Sequence, residues 1–97
     1  MSKVDNWQVG LVAAQNREFE KACELWLPLA ENGNPMAQVN VAYLHMRGLI
    51  KDADLLIGEY WLSKAKECDQ PEILAMVEII EKQREIDVFN ELSKGFG

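Results

Sequence analysis

Phe19 to Gly48 reads FEKACELWLPLAENGNPMAQVNVAYLHMRG, and this stretch decides the fold. Its apolar side chains recur every three to four residues, the period of a helix buried along one face, and not every second residue as in a strand. Phe19, Ala22, Leu25, Trp26 and Leu29 share one side of a helix over about Arg17 to Asn32. Gly33 suits its end, because glycine enters the left-handed region without a Cβ clash. Asn34 can then cap free backbone N–H groups, and Pro35 fits a first helical position, where a missing donor costs nothing. The helix they open runs to about Arg47 and stops at Gly48. Ala37, Val41, Ala42 and Leu44 form its apolar set, with Met36, Val39, Tyr43 and Met46 on an adjoining stripe.

The same period continues on both sides. Upstream, Trp7, Leu11 and Ala14 mark a helix over about Asp5 to Gln15, broken at Asn16. Downstream, Asp52 or Asp54 can cap a fourth helix to about Glu67, with Leu55, Gly58, Trp61, Leu62 and Ala65 on its inner face. Pro71 opens the last helix, preceded by Asp69 or Gln70 and reaching about residue 94. Ile73, Val77 and Ile80 form one apolar group on it, and Ile86, Phe89 and Leu92 a second. The polar stretch Glu81 to Glu85 divides them and predicts a bend or a change of packed face. Pro28 predicts a kink near Glu24 to Pro28, because a proline inside a helix forfeits one hydrogen bond and costs about 3 kcal/mol or more unless the helix bends.

Sliding the chain by 36 residues lays Glu31 on Glu67, Pro35 on Pro71 and Val41 on Val77. The shift also pairs Phe19 with Leu55, Ala22 with Gly58, Leu25 with Trp61 and Leu29 with Ala65. A period of this length marks stacked helix pairs. Small residues at 22 and 58 let neighbouring helices approach closely.

These residues carry a resemblance. Gly10-Leu-Val-Ala-Ala, Phe19-Glu-Lys-Ala22, Trp26 to Asn34, Ala37-Gln38 and Gly48, followed by Asp54, Trp61, Lys64 and Ala65, resemble the Sel-one-like repeat, a relative of the tetratricopeptide repeat. The chain departs from that pattern at His45, Leu49-Ile50, Asp69 and Glu78, so its third unit is degenerate, as a terminal cap should be. The resemblance implies an all-α fold, a short right-handed solenoid of about five antiparallel helices with a long C-terminal cap. Its units would be residues 5–34, 35–70 and the cap 71–97, within a single domain. It also implies a role in protein–protein contact without catalytic residues.

Composition sets the outer bounds. The chain has 97 residues, room for one domain. It is 48% hydrophobic and 27% charged, which fits a folded chain and not a disordered one. Ten basic against sixteen acidic side chains give a net charge of −6, with no basic stripe to hold nucleic acid. No apolar run approaches the roughly 20 residues of a membrane span, and Met1 to Asn6 does not read as a secretory signal. Cys23 and Cys68 are far apart and read as free thiols, so the expected setting is the cytoplasm.

Chemistry is thinly supplied. His45 is the only histidine, on a helix among apolar neighbours, and reads as a packing or surface-bridging residue. One histidine and two distant cysteines do not make a zinc site, and neither phosphate-cradling glycine motif is present. Pairs such as Glu18/Glu20 and Glu78/Glu81 read as solvated helix faces. The expectation is a protein that is not an enzyme and holds no cofactor or metal.

Binding has better candidates. By the resemblance, the first helix of each pair lines a concave face, which brings Trp7, Leu11, Val39, Tyr43, Met46 and Ile79 to one groove. Internal packing is the competing reading, strongest for Trp7. Five of the six excess negative charges lie in residues 49–97, which suits either solubility or attraction to a basic partner. The expected function is to bind a protein or peptide in the groove. The alternative is an acidic immunity-type inhibitor that covers a bacterial toxin's active site. Oligomeric state is left open.

Overall fold

The computed structural model describes residues 5–94 and contains no strand among them. Five helices follow in order: α1 (Asn6–Gln15), α2 (Phe19–Glu31), α3 (Pro35–Met46), α4 (Leu55–Ala65) and α5 (Pro71–Lys94). α2 and α4 begin 36 residues apart, and so do α3 and α5. Each helix packs on the next in the chain, and α5 also reaches back to α3.

Local chemistry sets the helix ends. The side chain of Asp5 accepts from the N–H groups of Trp7 and Gln8, Asn34 accepts from Ala37, and Asp54 accepts from Leu56. Of the two candidate caps for α4, Asp54 is therefore the one used. Three turns close by one device. After α2, Asn34 N–H donates to Leu29 and Gly33 N–H to Ala30; after α3, Leu49 donates to Leu44 and Gly48 to His45. After α1, Glu18 donates to Ala13 and Arg17 to Ala14. This paired return of N–H groups to the last helical carbonyls needs one residue with positive φ. Gly33 (95°) and Gly48 (66°) supply it in two turns, and Arg17 (63°) in the first.

α3 is the central helix, covered by α2, α4 and α5. Ala37, Gln38, Val39, Val41, Ala42 and Leu44 are all buried, more than one stripe can hold. A helix apolar around most of its circumference belongs inside. Val39, expected to face a groove, is instead 1% exposed, because neighbours on several sides leave its stripe no opening. Gln38 is the one buried polar side chain among the described residues, and its Nε2 donates to the Ala30 carbonyl at 3.0 Å. Ala22, Trp26 and Ala30 from α2, then Trp61, Leu62 and Ala65 from α4, complete this core.

Neither α2 nor α5 is interrupted where a proline or a polar stretch falls within it. α2 continues through Pro28 as one helix. Pro28 and Glu24 are both exposed, so the carbonyl that loses its partner faces water and the helix is not forced to break. α5 likewise runs unbroken through Glu81 to Glu85. Its first half buries Ile73 and Val77, but Ile86, Phe89 and Leu92 stand in solvent instead of forming a second packed group. The projecting half helps to stretch the protein to 60 × 30 × 19 Å.

Candidate functional site

Where α5 leaves the core, it diverges from the end of α3 and the start of α4. The result is a groove of about 550 Å³. Tyr43 and Met46 come from α3 and Leu55 from the first turn of α4. Across from them α5 presents Ile79, Ile80, Val88 and Leu92, interleaved with Gln83, Arg84, Asp87 and Glu91. Tyr43 is 43% exposed, Leu55 49% and Leu92 61%. Such a concentration of apolar surface in one concavity is what distinguishes a contact site from scattered exposed leucines.

Ion pairs fix the walls. Arg47 Nη1 lies 2.9 Å from Asp87 Oδ2, joining the end of α3 to α5. Arg84 Nη2 lies 2.6 Å from Glu59 Oε1, joining α5 to α4. Both basic groups of the groove are thus neutralised from within. Glu91, on the same face, has only a 3.9 Å approach to Lys94.

Gly58 explains how α3 and α4 come close enough to shape this wall. A Cβ there would collide with Met46 Cγ and stand 3.2 Å from the Ala42 carbonyl oxygen. The α3–α4 loop is pinned from two sides. Glu20 accepts from the Lys51 N–H, and His45 Nδ1 accepts from the Asp54 N–H at 3.1 Å. His45 is therefore a bridging group, and the bond fixes its ring as an acceptor at Nδ1. Burial pushes its pKa below the ordinary imidazole value, while the Asp54 carboxylate pulls the other way. Cys23, also half-buried, has its thiol pKa raised by burial first and then by Glu20 and Glu24. Neither group has the surroundings of an activated catalyst.

Of the six residues expected in one groove, Tyr43, Met46 and Ile79 meet in it. Trp7, Leu11 and Val39 do not. Trp7 stacks on Trp26 with ring centroids 5.5 Å apart, and Trp26 Nε1 donates to the Trp7 carbonyl at 3.4 Å. Leu11 is half-buried against the core. Leu55, Val88 and Leu92 belong to the groove but were not among the expected residues. Leu55 has the helical register of the α4 inner face, and only its place in the first turn carries it past the edge of the core. Compared with protein-family models, curated proteins and solved structures, the chain matches none.

Proposed function

We propose that this protein is a non-enzymatic interaction module, a short tetratricopeptide-like array of helix pairs that binds an amphipathic helical segment of another protein in the α3–α4–α5 groove. The observation that carries this reading is the convergence of Tyr43, Leu55, Val88 and Leu92, each about half exposed, on one concavity. The matching 36-residue offsets of α2 with α4 and of α3 with α5 support the array. A groove with an apolar floor and a polar edge suits a helix that presents apolar side chains at every third or fourth position. Met46 adapts to the shape of such a ligand, and Tyr43 adds a rigid ring with a polar end.

The acidic excess of residues 49–97 favours a basic ligand. The groove's own arginines are paired to Asp87 and Glu59, which leaves Glu91 at its open end to meet a cation. Peptide display selected on the full chain tests the assignment. The expected outcome is enrichment of amphipathic, lysine- or arginine-containing helices whose affinity falls at least tenfold with Tyr43→Ala and with Leu55→Asp, at nearly constant melting temperature. Selected peptides that bind Leu55→Asp as well as the wild type would remove the groove from consideration. A large stability loss in Tyr43→Ala would mean that its ring serves the core.

A further inference from the structure

At the end of α3 away from the groove, a second hollow of about 620 Å³ opens beside the first turn of that helix. The end of α2 forms one side and the second half of α4 the other. Gln38 lines it and is only 7% exposed. Its Nε2 donates to the Ala30 carbonyl at 3.0 Å, which orients the amide and leaves Oε1 as the unused end. No described residue donates to Oε1, yet no fully buried side-chain oxygen among the described residues lacks a partner. Oε1 is therefore open to the hollow, an acceptor offered by a side chain more than nine-tenths buried.

The walls favour a cation. Glu31, the last residue of α2, and Glu67, just after α4, both line the hollow, and neither forms an ion pair among the described residues. Against these two carboxylates stands one ammonium, that of Lys64. Its Nζ lies 5.8 Å from the centre of the Tyr60 ring, within the range at which an aromatic face attracts positive charge. Two helices end at the hollow and one begins there, so the backbone dipoles also leave a negative surplus. Trp61 braces the Tyr60 ring edge-on, with centroids 5.0 Å apart.

We propose that this hollow receives the guanidinium of an arginine side chain presented by a polypeptide. A guanidinium lies flat on an aromatic ring while its in-plane donors meet an amide oxygen and a carboxylate together. An ammonium has no plane to stack, and a neutral group leaves the carboxylates unanswered. Glu31, Tyr60, Lys64 and Glu67 are all exposed, so the rim stays open, as a side chain still attached to its backbone requires. Binding of one side chain in so solvated a site is weak, with a dissociation constant of about 1–10 mM.

Titration of the isotope-labelled full chain with N-acetyl-arginine amide to about 20 mM, at constant ionic strength and followed by NMR, brackets that range. The expected result is saturable movement of the Trp61 indole and Gln38 side-chain amide signals. N-acetyl-citrulline amide, the neutral isostere, should move neither. Glu31→Gln, Glu67→Gln and Tyr60→Leu should each weaken binding about threefold, with circular dichroism unchanged because all three sites are exposed. Lys64→Met should tighten it about threefold by removing a competing cation, whereas a hollow built for an anion would lose affinity. Absence of saturable movement, equal binding of the citrulline or lysine analogue, or weaker binding by Lys64→Met overturns the proposal. Free arginine binding more than tenfold tighter than the blocked form would overturn its polypeptide source. Leu55→Asp, in the groove, should leave the titration unchanged. Loss of binding there with none in Glu67→Gln would seat the arginine in the groove and overturn the proposal. The groove's peptide selection is a separate readout, so either reading can fail alone.

Discussion

The indole of Trp26 lies so close over Gly10 that no side chain fits between them. A Cβ on Gly10 would stand 2.7 Å from Trp26 Cε2 and 2.8 Å from Cδ1, inside van der Waals contact. Trp26 cannot easily retreat, since it is 3% exposed and held by Trp7 through both stacking and a hydrogen bond. Overpacking costs about 1–3 kcal/mol, and alanine returns about 1 kcal/mol of helix propensity over glycine. Because the overlap is severe, Gly10→Ala should lower stability by about 1–2 kcal/mol. Denaturant titration followed by tryptophan fluorescence measures this. An unchanged midpoint would mean that α1 can slide on α2 without loss.

Arg17 occupies the backbone position that glycine fills in the two other turns of the same build. Its φ of 63° lies in the left-handed region, which is costly for a residue with a Cβ. The side chain is exposed and forms no ion pair or hydrogen bond among the described residues. Arg17→Gly should therefore raise stability by about 0.5–1 kcal/mol, relief of strain outweighing the greater freedom of the unfolded chain. A thermal melt of the variant is sufficient, and a lower melting temperature would show that Arg17 has stabilising contacts of its own.

The comparison of these turns also shows why some of the structure was legible in the sequence. Gly33 and Gly48 announce their stops, and Asn34-Pro35 announces a start, because each residue type has a backbone preference that acts locally. Nothing announces the turn at Arg17 except the polar break at Asn16, since arginine has no preference for positive φ. Helical period placed Tyr43 and Met46 on one stripe with Val39, but period says only which residues share a direction. Whether that direction is open depends on which helices flank it. α3 is covered around Val39 and uncovered at its C-terminal turn, so one stripe is core at one end and groove wall at the other. The same limit applies to α5. The spacing of Ile86, Phe89 and Leu92 read as a packed face, but the helix outruns the elements that could cover it.

His45 gives the protein a pH response of known sign. Its Nδ1 accepts the Asp54 N–H, so the folded state needs the neutral ring, and burial depresses its pKa further than Asp54 restores it. As pH falls through the ordinary imidazole range, the unfolded chain takes up a proton before the folded one does. Stability therefore declines from about pH 7.5 toward 5.5, until the folded ring is protonated as well. Melting temperatures across that window should fall slightly for the wild type, while His45→Gln should be flatter. Equal slopes in the two proteins would mean that other groups set the response.

The distal half of α5 depends on two ion pairs to an extent that global stability will not reveal. Ile73 and Val77 anchor only the first turns, and beyond Glu81 every described residue is exposed. Arg47–Asp87 and Arg84–Glu59 tie that half to α3 and α4. Each pair is partly solvated and contributes about 0–1 kcal/mol. Removing both with Asp87→Asn and Arg84→Ala should leave the melting temperature nearly unchanged, because the core around α3 is untouched. Local opening is a different quantity, set by the few interactions that hold the segment itself. Amide exchange across residues 83–94 should accelerate about tenfold in dilute solution, the equivalent of about 1.4 kcal/mol lost from local opening. Molar salt should reproduce part of this in the wild type, since the screening length then falls to about 3 Å. Exchange that ignores both the substitutions and the salt would assign the hold on this segment to Ile80, Val88 and Leu92, and the groove would keep its shape without its charges.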